Sequence, residues 1–249
     1  MSRYFIELSF KGTRYFGWQV QPGQPTVQET LERVFSTFLR EQVSITGAGR
    51  TDTGVHASFY VAHFETQVLP CHPEDLVYKL NRFLPKDIAL HRIYPVAPDA
   101  HARFSATSRT YRYFINRKKN PFTVETAWEY LLPLQVDLMN KAAALLLKHS
   151  DFTSFSKLHT DVKTNNCRIS KALWEDKGNQ LIFTITADRF LRNMVRSIVG
   201  TSLEVGKGHL TPEGFEEIIL KKDRCAAGMS VPAEGLFLTD IIYGENLYI

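Results

Sequence analysis

Apolar side chains recur along this chain in two rhythms, and the switches between them predict its elements. Residues 4–10 alternate apolar with polar, the period-two pattern of a half-buried strand. Thr26-Val27-Gln28-Glu29 then reads as a capping box, and Val27, Leu31, Val34, Phe35 and Phe38 follow at helical spacing. Strand-like runs at about 43–46 and 58–65 flank a glycine-rich stretch. A second helix opens at Pro73 and carries Leu76, Val77, Leu80, Phe83 and Leu84 on one face, and a strand at about 87–96 follows it.

The order β-α-β-β-α-β is then spelled again. A strand at about 106–117 leads to a helix at 134–148 through Leu138, Met139, Ala142, Leu145 and Leu146. Strands at about 167–176 and 180–187 are joined by a Gly178-Asn179 turn. Asp188 reads as the cap of a helix with Leu191, Met194, Val195, Ile198 and Val199 inward. An extra helix opens at Thr211-Pro212-Glu213, and Leu236 to Tyr243 form a last strand. The repeat is one of pattern, without a repeat of sequence. The expected fold is α/β of the α+β kind: two ferredoxin-like halves, 1–105 and 106–249, forming an extended, mostly antiparallel sheet with a central cleft.

Composition narrows the class. With 249 residues, 44% of them hydrophobic and 22% charged, the chain has the make-up of a soluble globular protein. No apolar run approaches the roughly 20 residues of a membrane span. Met1-Ser2-Arg3-Tyr4 leads straight into a strand pattern, so no secretory leader is expected. The three cysteines, Cys71, Cys167 and Cys225, lie far apart and form no C-x-x-C, which argues against a disulfide framework and a zinc site and fits a reducing cytoplasm. Thirty basic against 26 acidic residues suit a nucleic-acid partner only where the basic ones gather on one face.

The candidate chemistry centres on Gly47-Ala48-Gly49-Arg50-Thr51-Asp52-Thr53-Gly54-Val55-His56-Ala57. This is a glycine-rich loop between two strands, able to present Asp52 at a fixed angle, with Arg50 two residues away to favour the ionised carboxylate if the loop is partly buried. A well-made turn is the competing reading. In Thr107 to Phe114 the strand period puts Arg109, Tyr111 and Tyr113 on one side and Arg112 and Phe114 on the other, an interleaving that can stack bases and grip phosphates. Arg189, Arg192 and Arg196 share a face if the helix runs from Asp188, with a solvated face as the alternative. Arg117-Lys118-Lys119-Asn120 is either a turn or a phosphate contact. Asp52-Thr53-Gly54 also matches the aspartic peptidase tripeptide, but a pepsin-like chain needs a second copy that is missing here. Gly47-Ala48-Gly49 fails as a phosphate loop for want of a following Gly-Lys-Ser/Thr. An RNA-binding protein without chemistry explains the basic and aromatic strand but leaves the Arg50 and Asp52 loop idle.

Gly49 to Ala57 closely resembles the active-site motif of the tRNA pseudouridine synthase A family. The likeness continues in Tyr15-Phe16-Gly17-Trp18-Gln19, Arg109-Thr110-Tyr111-Arg112-Tyr113, Phe190-Leu191-Arg192-Asn193-Met194-Val195-Arg196 and Pro232-Ala233-Glu234-Gly235-Leu236-Phe237-Leu238. The resemblance implies an isomerase that converts uridine to pseudouridine in the anticodon arm of tRNA, at the family's positions 38, 39 and 40. It implies a cytoplasmic homodimer with tRNA as partner, and neither metal, organic cofactor nor small-molecule cosubstrate. Carried over by position, Asp52 is the catalytic aspartate, Arg196 its basic partner, Arg50 a holder of the flipped nucleotide, and Tyr111 the ring that packs on the target base. Arg109 and Leu238 fall among the substrate-binding positions. Phe237 stands where many members have Tyr, so the ring is kept and the hydroxyl lost. The roles of His56, His63 and the stretch from His159 to Thr164 stay open.

Overall fold

A computed structural model of the chain describes residues 1–157 and 164–247; residues 158–163, His159 among them, lie outside the described residues. The fold is α+β, with five helices and nine mostly antiparallel strands among the described residues. The chain divides into two compact units, one of residues 1–107 with 238–249 and one of residues 108–237. No helix among the described residues is long and apolar enough to cross a membrane.

In the first unit, strand β1 (Ser2–Phe10) is followed by helix α1 (Val27–Leu39), the two-residue β2 (Thr46–Gly47), β3 (His56–Thr66), helix α2 (Pro73–Phe83) and β4 (Ile88–Val96). β1 pairs antiparallel with both β4 and β3, and β2 pairs with β3, so the strands run β4, β1, β3, β2. That is the split β-α-β order which the apolar periods predict. Thr26 caps α1 as its sequence signature requires, its Oγ1 accepting from Glu29 N–H at 3.3 Å. Val27, Leu31 and Phe35 are buried on the inner face of α1, and Leu76 and Leu80 on that of α2. Phe83 departs from the expected stripe: it is 67% exposed at the last position of α2.

The expected strand at 43–46 is corrected to Thr46–Gly47. Val43 and Ile45 are buried, yet their backbone N–H groups donate to Ser36 Oγ and Glu32 Oε1 of α1, each at 2.9 Å. Helix side chains have replaced a ladder partner, so an apolar run with strand character stays irregular.

The second unit holds β5 (Ala106–Asn116, all but its first two residues), the short β6 (Trp128–Glu129), α3 (Val136–Leu145), β7 (Ile169–Asp176), β8 (Gln180–Ala187), α4 (Met194–Gly206) and α5 (Pro212–Lys221). β8 pairs antiparallel with β5 on one side and β7 on the other, and Gly178 turns the β7–β8 hairpin at φ +76°. The last strand, β9 (Leu236–Tyr243), has its residues from 238 onward in the first unit. There it neighbours β3, with Tyr243 edge-on to Phe5 at 5.2 Å and its hydroxyl donating to the Ala102 carbonyl at 2.6 Å.

The helix expected from Asp188 is also corrected. α4 begins at Met194, because the Asp188 carboxylate accepts from Arg168 N–H at 2.8 Å and Arg189 N–H at 2.7 Å instead of capping a helix, and Asn193 sits at φ +65°. Arg189 and Arg192 therefore precede the helix and do not share a face of it with Arg196.

Candidate active site

The glycine loop is fastened on both limbs, and almost every fastening comes from the segment before α1. On the Asp52 side, Trp18 N–H reaches the Thr51 carbonyl at 3.4 Å and Gly54 N–H reaches the Tyr15 carbonyl at 3.3 Å. Val55 N–H closes a turn onto the Asp52 carbonyl at 3.1 Å. Gly12 N–H donates to His56 Nδ1 at 2.9 Å. Close approach explains the glycines in this segment: a Cβ on Gly12 would overlap the Val55 carbonyl, and one on Gly17 the Thr51 carbonyl. The first turn of α1 ties the segment down in turn, Val27 and Gln28 N–H donating to the Gly17 and Trp18 carbonyls at 3.2 and 3.0 Å. Asp52 is half-buried at the tip of this arrangement and Arg50 is exposed.

A second anchor lies under Tyr15. Its hydroxyl donates to Asp87 Oδ1 at 2.8 Å, and Arg14 Nε donates to Oδ2 of the same carboxylate at 2.8 Å. Burial, and then the bond to Asp87, push the Tyr15 phenol well above its ordinary range. Tyr15 thus stays a neutral donor while its carbonyl holds Gly54.

His56 is fully buried, and its bond to Gly12 makes it part of the loop's scaffold. His63 likewise accepts from Ala102 N–H at 3.1 Å through Nδ1, and burial with the His101 ring 4.7 Å away lowers its pKa to about 4.

The remaining motif residues belong to the second unit, apart from Leu238. Tyr111 on β5 is half-buried, opposite Ile185 of β8 and edge-on to Phe190 at 5.1 Å. Arg109 Nη1 donates to the Asp188 carbonyl at 2.7 Å. Arg196, in the first turn of α4, donates from Nε to the Val231 carbonyl at 2.7 Å and receives Val231 N–H on its own carbonyl at 3.3 Å. Asn193 Nδ2 to Ser230 Oγ at 2.6 Å, with Gly200 against the Met229 carbonyl, joins α4 to the same segment.

Tyr113, on the same side of β5 as Tyr111, is core: it is fully buried, its hydroxyl donates to the Pro232 carbonyl at 2.8 Å, and burial raises its pKa. Leu238 is buried at 2% exposure, and Phe237 meets Phe114 edge-on at 5.3 Å. Arg117 lies 3.7 Å from Asp176 and its N–H donates to the Asn179 carbonyl, so the start of the basic run serves a turn. Among the described residues no cluster of three His, Cys, Asp or Glu could hold a metal ion.

Sequence reasoning passed over Tyr60. Its hydroxyl brackets Gly49, donating to the Gly49 carbonyl and accepting from Gly49 N–H at 3.3 Å. The only signal was an aromatic in a strand, which period-two patterning assigns to the core.

The profile of the family described as tRNA pseudouridine synthase matches residues 8–105 and 142–244. The chain is 54% identical to the tRNA pseudouridine synthase A of Parabacteroides distasonis over 248 residues, covering 100% of this chain and 98% of that one. It is 53% identical to the enzyme of that name from Bacteroides thetaiotaomicron, covering 100% of this chain and 93% of that one. With the one from Bacillus licheniformis it shares 39% identity over 95% of this chain and 97% of the other.

Proposed function

The chain belongs to the tRNA pseudouridine synthase family, isomerases of uridine in tRNA, and from that premise we propose that Asp52 is the residue on which its reaction turns. The isomerisation breaks the bond from uracil N1 to C1′, turns the base, and joins C5 to C1′ with release of the C5 proton. Nothing is added, so no cosubstrate is required. An ionised Asp52 can begin it by attack on C1′, by attack on C6, or by taking the C2′ proton.

The observation that carries the reading is the fastening of Asp52. The residue has a backbone anchor on either side, through Thr51 to Trp18 and through Gly54 to Tyr15, both in the segment before α1, and this holds a carboxylate at a fixed angle. A bland turn has no need of two glycines placed against its carbonyls. By position in the family's motifs, Arg196 is the cation that keeps that carboxylate charged, Tyr111 stacks on the extruded base, and Arg50, Arg109 and Leu238 contact the nucleotide. The same reading takes uridines of the anticodon arm as the targets, a homodimer as the working form and the cytoplasm as its place, on the likeness of the motifs to those of the family.

The test is tritium release from tRNA labelled at uridine C5. Release by the wild type and none by folded Asp52→Asn is expected. If both bind tRNA and neither releases tritium, the chain only binds RNA; equal release by both makes Asp52 a scaffold residue.

A further inference from the structure

The β2–β3 ladder ends in an unusual way. Thr46 pairs with His63, Gly47 with Ala62, and Ala48 N–H donates to the Val61 carbonyl at 2.9 Å. Gly49 is next, and the residue opposite it in this register is Tyr60. Instead of a backbone rung, both polar groups of Gly49 go to the side-chain hydroxyl of Tyr60. A tyrosine hydroxyl stands a ring's length off the sheet, so the backbone has left the sheet at Gly49, one residue before Arg50 and three before Asp52.

The ring that carries this hydroxyl has no freedom. Tyr60 is fully buried, stacked on Trp18 with centroids 4.2 Å apart and edge-on to Phe10 at 5.5 Å. Gly47 leaves the space it needs, since a Cβ there would overlap the Tyr60 hydroxyl and the Trp18 indole. Trp18 is also the residue whose N–H holds Thr51 on the other limb. One stacked pair therefore touches the loop on both sides of Arg50.

We propose that Tyr60 is a positioning residue for the isomerisation, its hydroxyl fixing the point and direction at which the chain leaves β2 for the Arg50 to Asp52 segment. The proposal rests on the reading of Asp52 as the reacting carboxylate. Tyr60 touches neither substrate nor reacting atoms in this role; it acts through Gly49.

Tyr60→Phe keeps the stacked ring and removes only the bracket. With enzyme in excess over C5-tritiated tRNA, its single-turnover rate is expected to fall about 10- to 100-fold, the cost of a reacting group displaced by a fraction of an ångström to one. Its tRNA affinity by filter binding should stay within about twofold, because only a step after binding has lost support. Gly47→Ala, which displaces the hydroxyl with Tyr60 intact, should give the same split and serves if Tyr60→Phe does not fold. Wild-type rates in either folded variant, or a loss of affinity matching the loss of rate, would overturn the proposal. Asp52→Asn is run beside them: full turnover in that variant removes the underlying reading and the proposal with it, a failure distinguishable because it comes from the Asp52 arm alone.

Discussion

Gly17 takes φ +87°, and a Cβ on it would stand 2.2 Å from the carbonyl oxygen of Thr51, closer than a Cβ can come. Two demands meet at that residue, a left-handed backbone and a missing side chain, and only glycine satisfies both. The contact sits one residue from Asp52, so its loss reaches the loop tip directly. Gly17→Ala is expected to lower stability by about 1–3 kcal/mol, the usual cost of a strained backbone residue. Tritium release should fall further than the urea midpoint accounts for, and turnover at wild-type level in the folded variant would show that the loop does not depend on this contact.

The Tyr111 ring is already set by its edge contact with Phe190, and on the proposed reading it is the ring on which the base stacks. Stacking on an aromatic side chain returns about 1–3 kcal/mol per base, comparable to the few kcal/mol needed to extrude one. Tyr111→Ala should therefore weaken tRNA binding about 5- to 150-fold, and Tyr111→Phe should leave it near wild type. A Phe variant that binds yet turns over slowly fits a hydroxyl that assists C5 proton removal. Equal losses of affinity in both variants would refute stacking.

Arg196 spends its Nε–H on the Val231 carbonyl, which fixes the plane of its guanidinium. Arg196→Ala is expected to cost about 10²- to 10³-fold in turnover, the range for removal of one electrostatic stabiliser, with tRNA still bound. Arg196→Lys should not rescue it, because an ammonium cannot hold that carbonyl and still present a planar fork. Rescue by lysine would reduce the role to charge alone.

His63 makes stability depend on pH. Its folded pKa, lowered to about 4 first by burial and then by His101 and Arg3 against the opposing pull of Glu65, lies below its ordinary 6.5. Below pH 6.5 the unfolded chain takes up a proton that the folded chain refuses. The stabilisation is whole at pH 7, is lost as pH falls from 6.5 to 4, and changes no further below that. At 1.36 kcal/mol per pH unit the ceiling is about 3 kcal/mol. His63→Asn keeps an acceptor for Ala102 N–H and removes the titration, so its urea midpoints should vary less over this window. An unchanged pH slope would assign the effect elsewhere.

The sequence was most readable where one physical signal acts alone. The strand and helix periods of β1, α1, α2, β4 and β8 survive because burial on one face dictates them. The loop around Asp52 was legible from its glycines and from its neighbours in the motif. What the chain did not disclose are choices between competing partners. Asp188 has the look of a helix cap, but two backbone N–H groups of its own hairpin reach it first. Residues 43–45 have the apolar content of a strand, but Ser36 and Glu32 of α1 take up the N–H groups of Val43 and Ile45. His56 resembles a catalytic histidine by proximity, and only the buried Gly12 N–H, 44 positions away in sequence, shows it as scaffold. Tyr60 was hidden for the same reason: the group its hydroxyl holds is a backbone, which leaves no trace in residue type.

The chain leaves its first unit at residue 107 and comes back to it only at 238. During synthesis this sets an order of completion. Everything in 108–237 has been made before β9 is complete, while the unit begun first waits longest for its last strand. Until then β3 lacks the neighbour that β9 supplies, the Phe5 ring lacks Tyr243, and the Ala102 carbonyl lacks the Tyr243 hydroxyl. A chain cut short before residue 238 would thus carry the Asp52 loop on a unit with one raw edge.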